Sequence, residues 1–303
     1  MFPFRKDKEG IKMKKSFSLI PLIIFAVAVV ITLPLRILQY KNSIEPGTGF
    51  YTEVSPLVIL FYAVIGIAFI GITVITFING KKLAFSNDVD KDIPLGAVSF
   101  ICALICLFGA VKVLLTPVST ATPVYTVTTT STALTGILDK AAAILGIITG
   151  IYFAVIGASY ISGKGSGSQF KIISLAAPLW CAIRLVARFT RTVSYIRVSD
   201  LLLEMLMLAC MTLFFMSFAQ LNSKVNPEGN EKKAVIFGYT GALLGFVVAI
   251  PRLVLAITGN TDVLYELSSF EIYDIGLALF SIVMVAERFA VGSKESKPAD
   301  EDN

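Results

Sequence analysis

The feature that most constrains this chain is a series of eight apolar segments, each long enough to form a helix across a bilayer. A hydrocarbon core about 30 Å thick needs roughly 20 helical residues. Apolar residues make up 55% of the chain, which is more than a soluble domain carries. The sequence therefore predicts an all-α integral membrane protein with eight transmembrane helices. The segments are about 17–38, 55–79, 94–115, 138–161, 169–188, 200–221, 233–257 and 272–291.

The segments follow one another in pairs that share two marks. The first helix of each pair carries a basic residue followed by two aliphatic residues, and the second ends on NGK, SGK, NSK or GSK. Such recurrence indicates an internal repeat and predicts four tandem helical hairpins. The hairpins span about 17–79, 94–161, 169–221 and 233–291, between a basic segment at 1–16 and an acidic tail at 292–303.

The basic residues outside the apolar segments predict the orientation. The two terminal segments and the loops after helices 2, 4 and 6 together hold 16 Lys and Arg, whereas the opposite loops hold Lys41, Arg191 and Arg197. Because cytoplasmic loops carry the excess of positive charge, both termini are predicted to be cytoplasmic. The chain fits a multi-pass protein of a bacterial plasma membrane.

Several classes of function are disfavoured by what the sequence lacks. There is no histidine, which removes most zinc, haem and Ser-His-Asp chemistry. The four cysteines lie inside predicted spans, so we expect neither disulfides nor a metal site. The basic residues form no stripe that would bind nucleic acid. We therefore expect a non-enzymatic protein without a cofactor, with an intramembrane transferase using Asp200 or Glu204 as a remote alternative.

Small residues recur at every fourth position along helix 4 and, more briefly, along helix 7. This spacing lets another helix approach closely, as in small-xxx-small contacts between membrane helices. We predict tight helix interfaces at both places. The packing residues proposed are Gly146, Gly150, Ala154, Gly241 and Gly245.

Every hairpin also places a cation near the end of its first helix and an acid near the start of its second. At most of these positions the simplest interpretation is structural, because such charges complement helix dipoles by about 0.3 to 1 kcal/mol each. We apply this interpretation to Arg36, Lys112, Glu53 and Glu271. Ser268 and Glu271 also have the spacing of a capping box.

The third and fourth hairpins favour a functional interpretation. Arg184, Arg188 and Arg191 share one helix face, and a charge at the depth of Arg184 needs a partner, for which Glu204 is the nearest candidate. Arginines in excess of carboxylates would leave an electropositive vestibule that holds a carboxylate or phosphate. Trp180 either forms a wall of this pocket or belongs to an aromatic belt at the membrane interface. Of these two positions we favour the belt. The candidate ligand-binding residues are Arg184, Arg188, Arg252, Glu204, Asp274 and Trp180.

Two functions compete at this point. The first is binding or transport of a small anionic solute or lipid headgroup from an outer vestibule. The second is a membrane scaffold or accessory subunit that packs against a partner membrane protein through helix 4 or the Thr-rich loop at 116–136. A small-residue ridge exposed to lipid would favour the scaffold, and a charged cavity inside a closed bundle would favour binding.

Overall fold

A computed structural model gives the architecture, which is almost entirely helical. It describes residues 13–14, 19–45, 51–79, 83–85, 91–115, 133–163, 171–190, 198–223, 225–258 and 271–292. The helices in these ranges are α1 Leu19–Asn42, α2 Pro56–Asn79, α3 Ile93–Leu115, α4 Ala133–Ser162, α5 Ala176–Thr190, α6 Val198–Asn222, α7 Pro227–Ile257 and α8 Ile272–Arg288.

Helix length and apolar character identify a membrane protein. Seven of the described helices, α1 to α7, are long and apolar enough to cross a bilayer. For α5 this span includes the short turn that precedes the helix, Ile173–Leu175. The remaining helix, α8, has 17 residues, which is about 25 Å at 1.5 Å per residue and less than a typical hydrocarbon core. The chain is thus a helical, multi-pass membrane protein.

Several helix ends differ from the prediction. α2 begins at Pro56 as predicted, with Ser55 accepting the first backbone hydrogen bonds. α1 continues through Pro34 to Asn42 instead of ending near residue 38. α4 begins at Ala133 and so takes up the last residues of the predicted Thr-rich loop, whose residues 116–132 lie outside the described ranges. α7 begins at Pro227, about six residues early, because proline suits the first helical turn.

The start of α5 is also different. The prediction placed it near residue 169, whereas a short 3-10 turn at Ile173–Leu175 leads into a helix that starts at Ala176. The regular α5 is therefore only 15 residues long, or about 22 Å. Its second half carries Arg184 and Arg188, both of which are buried in the bundle.

α7 is the central helix of the bundle. It packs against α1, α2, α6 and α8, while α8 also packs against α3 and α4 packs against α3 and α5. Burial follows this arrangement: 67% of the apolar stretch of α7 is buried, against 28% for α2. Phenylalanine rings fill the middle of the bundle. The ring centroid of Phe280, on α8, lies 4.7 Å from that of Phe153 on α4 and 5.9 Å from that of Phe215 on α6.

The proposed packing glycines lie where helices come close together. A Cβ added at Gly150 would lie 2.8 Å from Leu107 of α3, and one at Gly146 would lie 3.2 Å from the indole nitrogen of Trp180. On α7, an added Cβ at Gly245 would lie 2.9 Å from Ala278 of α8, and one at Gly241 would lie 3.2 Å from the sulfur of Met211. Ala154, the fifth residue proposed, is partly buried.

One end of the bundle carries a small antiparallel sheet that the sequence did not predict. Its strands are β1 Met13–Lys14, β2 Leu83–Phe85 and β3 Phe289–Gly292, in the order β1-β3-β2. The sheet thus joins the segment before α1, the loop after α2 and the segment after α8. We call this the sheet end, and we call the opposite end, where α5 finishes and α6 begins, the charged end.

The sheet end is also held by a polar contact between three helices. Arg288, at the end of α8, is 5% exposed. Its Nε lies 3.9 Å from Oδ2 of Asp92 before α3, and its guanidinium carbon lies 4.5 Å from the centre of the Tyr160 ring of α4. Arg288 thus connects the end of α8 to the segment before α3 and to α4.

Candidate functional site

Among the residues that the structure describes, the charged end of the bundle holds four buried arginines, contributed by α1, α5 and α7. Each is no more than 7% exposed. A guanidinium keeps its charge under all ordinary conditions, so burial in an apolar bundle requires carboxylate partners. The four are Arg36, Arg184, Arg188 and Arg252.

Arg184, near the end of α5, pairs with two acids at the start of α8. Its Nη2 donates to Oε2 of Glu271 at 2.5 Å and to Oδ1 of Asp274 at 2.9 Å. The expectation that Glu204 is its nearest partner is wrong, because α8 brings its acids onto this face of α5 instead. Arg191, expected on the same face, lies outside the described residues.

Glu204 of α6 instead joins two other arginines. Its Oε1 lies 2.6 Å from Nε of Arg188, and its Oε2 lies 3.4 Å from Nη1 of Arg252 on α7. Arg188 also donates from Nη2 to Oε1 of Glu271. Glu204 is 1% exposed, so it links α5, α6 and α7 at a point out of reach of solvent.

Arg36 of α1 is buried in the same end of the bundle. It donates to the carboxylate of Asp200 on α6, which also accepts a hydrogen bond of 2.9 Å from the Tyr40 hydroxyl. The other guanidinium nitrogen donates to Gln39 and to the Tyr51 hydroxyl, at 2.8 Å each. A helix-dipole role alone, the interpretation given for Arg36, is therefore wrong.

These contacts form two neighbouring sets at the charged end, the pair Arg36–Asp200 and a connected group of the other six side chains, which together we call the charge network. It contains the four arginines and the carboxylates of Asp200, Glu204, Glu271 and Asp274. Four positive and four negative charges balance, so the expected excess of arginine is wrong for the described residues. Buried ion pairs of this kind favour one arrangement of the helices. An arrangement that separated the two partners would leave a buried charge without a counter-charge.

A partly open cavity of about 140 Å³ lies beside the network. Of the six predicted ligand-binding residues, Arg184, Arg188 and Trp180 line it. Arg252, Glu204 and Asp274 belong to the network but lie behind the cavity wall. The space exists because much of the remaining lining is alanine, at Ala110, Ala142, Ala143 and Ala187.

Two aromatic side chains form a wall of the cavity. Trp180 and Tyr273 meet edge to face with ring centroids 5.7 Å apart, and the guanidinium carbon of Arg184 lies 5.2 and 5.1 Å from the two centroids. Such contacts hold a guanidinium in place. Trp180 is 3% exposed, so its assignment to an aromatic belt is wrong. Tyr273 fits because Gly109 of α3 has no side chain there.

Some hydrogen-bonding capacity in the network is unused. Among the described residues of the network, four buried atoms have no hydrogen-bond partner: Nη1 of Arg184, Nε of Arg252, Oε1 of Glu204 and Oδ2 of Asp274. Buried polar atoms are usually satisfied by protein or water. Nη1 of Arg184 is therefore able to donate a hydrogen bond to a further group.

Glu271 is ionised at neutral pH despite its partial burial. Burial opposes ionisation, but Arg188 and Arg184 outweigh it and hold the pKa of Glu271 below its ordinary value. Its carboxylate thus remains an acceptor for both guanidiniums across the physiological pH range.

Three polar residues of the cavity lining were not among the predicted ligand-binding residues: Glu271, Tyr273 and Asp139 of α4. The two acids, Glu271 and Asp139, lie near the start of the second helix of a predicted hairpin. At such a position a carboxylate is explained equally well by its interaction with the helix dipole. Tyr273 carries no comparable signal, since its position depends on a glycine in another helix. Ser268, the proposed capping partner of Glu271, lies outside the described residues.

Within the described ranges, no cluster of Cys, Asp or Glu has the arrangement needed to hold a metal ion. All four cysteines are buried and unpaired. Comparison of the chain with protein-family models, with curated proteins and with solved structures finds no match.

Proposed function

We propose that the chain spans the membrane eight times as four tandem hairpins, with both termini in the cytoplasm of a bacterial plasma membrane. The excess of Lys and Arg on the segments at the sheet end supports this orientation. The pairing of helices into hairpins is supported by their packing: α1 packs on α2, α3 on α4, α5 on α6 and α7 on α8. The charged end then faces the outside.

We further propose that the protein binds a small anionic solute or lipid headgroup in the cavity at the charged end, as a step in its transport. The observation that carries this proposal is the pair of guanidiniums, Arg184 and Arg188, on the wall of a partly open cavity. Guanidinium groups bind carboxylates and phosphates through paired, charge-assisted hydrogen bonds.

The size of the cavity limits the ligand. At about 15 Å³ for each water-sized position, a volume of about 140 Å³ has room for a group of roughly ten non-hydrogen atoms. A small organic acid fits, as does the headgroup of a lipid whose chains stay outside. Because the network is neutral, recognition depends on short-range hydrogen bonds and not on a net positive field.

The small-residue ridge of α4 favours binding over a scaffold role. Ala142, Gly146 and Gly150 are buried inside the chain, and the two glycines contact α3 and Trp180 of α5. Only the part of the ridge nearest the sheet end, at Ala158 and Ser162, is exposed. Most of the α4 ridge proposed for a partner is thus already used within the bundle.

A titration tests the proposed function. The full-length protein in lipid nanodiscs is titrated calorimetrically with acetate and with glycerol phosphate, alongside Arg184→Gln and Arg188→Gln. Because each substitution removes charge-assisted hydrogen bonds, we expect at least about tenfold weaker binding. Lys41→Gln, an exposed cation at the same end, should bind as the unmodified protein does. Equal affinity in all variants, or no binding at all, would overturn the proposal.

A further inference from the structure

Glu271 differs from the other acids of the charge network in its exposure. Its side chain is 23% exposed, against 7% for Asp200 and 1% for Glu204 and Asp274. Of the network's four carboxylates it is also the one that lines the cavity.

The carboxylate of Glu271 bridges the two cavity arginines. Its Oε2 accepts from Nη2 of Arg184 at 2.5 Å, and its Oε1 accepts from Nη2 of Arg188. An unattached anion with two oxygens would meet the same donors in the same way. Glu271 therefore has the position that a bound ligand would take.

The charge balance around this position specifies the ligand's charge. Within the ion pairs of the described residues, removal of Glu271 leaves Arg184, Arg188 and Arg252 paired with Glu204 and Asp274, which is one positive charge in excess. A single negative charge restores neutrality, whereas a dianion would leave a surplus negative charge in a poorly solvated place. Asp139 also lines the cavity, and its repulsion is weaker for a singly charged anion than for a dianion.

We infer that Glu271 occupies a binding site for a singly charged anion that presents two oxygens, and that the ligand binds by displacing the Glu271 carboxylate. This inference rests on the proposed function and adds to it the charge class of the ligand and the residue that holds the site in its absence. The two sources of such an anion are a free carboxylate and a lipid phosphodiester.

Chemical rescue of the variant Glu271→Ala tests the inference. The full-length variant and the unmodified protein are melted at pH 7.5 in nanodiscs, with acetate, dimethyl phosphate, malonate or chloride at equal ionic strength. Acetate or dimethyl phosphate should raise the melting temperature of Glu271→Ala by about 5 °C more than chloride does, because a ligand stabilises the state it binds. The unmodified protein should respond less, since Glu271 competes for the arginines.

The arms of the experiment separate the possible sources and the artefacts. Preference for acetate indicates a free carboxylate as the ligand, and preference for dimethyl phosphate indicates a lipid phosphodiester. The dianion malonate should rescue less than either. Glu53→Ala, which removes an exposed acid at the same end, should show no response beyond that to chloride.

Equal effects of all four anions on Glu271→Ala would overturn the inference, even if the unmodified protein binds anions through Arg184. Rescue of the variant without binding to the unmodified protein would instead overturn the proposed function, since Glu271 would then be a permanent partner. If the alanine variant does not fold, Glu271→Gln replaces it, and about tenfold tighter acetate binding than in the unmodified protein is expected. Unchanged or weaker binding would count against displacement.

Discussion

Arg184 and Arg252 occupy matching positions in the last two proposed hairpins, and each pairs with the acid of the other hairpin. Arg184 of α5 donates to Asp274 of α8, whereas Arg252 of α7 contacts Glu204 of α6. The predicted repeat would also align Glu204 with Asp274. The ion pairs therefore tie one hairpin to the next, which explains why their burial is tolerated despite the cost of desolvation.

The pair formed by Arg36 and Asp200 offers the clearest energetic test at this scale. Arg36→Met leaves Asp200 buried with fewer partners, so we expect the free energy of unfolding to fall by about 3 to 5 kcal/mol. Denaturation in mixed micelles, followed by circular dichroism, measures this change.

The double variant Arg36→Met with Asp200→Asn should recover more than half of that loss, because no uncompensated charge then remains. Lys41→Met on the same helix replaces an exposed cation and serves as the control. A single variant as stable as Lys41→Met would show that Arg36 and Asp200 do not form a buried pair.

The sequence identified most residues of the network but not their partners. Spacing along one helix places Arg184 and Arg188 on a common face, and an apolar environment requires that both be paired. Which acid each arginine meets depends on contacts between helices that are distant in sequence, such as α1 with α6 or α5 with α8. Helical periodicity contains no information about those contacts.

At the scale of elements, the close approach of helices depends on glycines with no room for a side chain. At Gly150 an added Cβ would meet Leu107 at 2.8 Å and the Ala103 carbonyl oxygen at 3.2 Å. The second contact involves backbone, so a side-chain rotation cannot relieve it. The spacing of α3 and α4, which both contribute residues to the cavity lining, is set in this way.

We expect Gly150→Leu to abolish or strongly reduce the folded protein, because α4 must move away from α3 to make room. Fluorescence-detected size exclusion gives the yield of monodisperse protein. Gly66→Leu on α2 is the matched control, since nothing lies within 4 Å of an added Cβ there. Equal yields from the two variants would contradict a tight interface at Gly150.

Helix positions were predictable because apolar length governs them, but several ends were not. α1 passes through Pro34 since Arg36, Gln39 and Tyr40 on its next turn are held by contacts with other segments. α5 starts late because a 3-10 turn replaces its predicted first residues. Both effects arise from tertiary contacts that override the local signals for helix ends.

At the scale of the whole molecule, the three strands at the sheet end and the network at the charged end hold opposite ends of the same bundle. The sheet connects residues near positions 13, 84 and 290, a pairing that no local pattern in the sequence indicates. The cavity could not be predicted from the sequence either, because it lies where small alanine side chains from three helices meet. The internal repeat stays a prediction, which the exchange of ion pairs between hairpins supports.

Cysteine labelling tests the proposed orientation. All four native cysteines are buried, so a single introduced cysteine dominates the reaction with a membrane-impermeant maleimide. Glu53→Cys precedes α2 and Lys91→Cys follows it, and both native residues are exposed. We expect Glu53→Cys to be labelled in intact cells and Lys91→Cys only after permeabilisation. The reverse pattern would contradict the orientation, and labelling of both in intact cells would contradict a membrane crossing by α2.

The most direct test of the central claim is an anomalous-scattering map from crystals of the full-length protein soaked with para-bromobenzoate. The account predicts one strong bromine peak in the cavity beside Trp180 and Tyr273, with the carboxylate bound to Arg184 and Arg188 and the Glu271 side chain moved aside. Bromine peaks only on the lipid-facing surface, with Glu271 still bridging the two arginines at high ligand concentration, would contradict it.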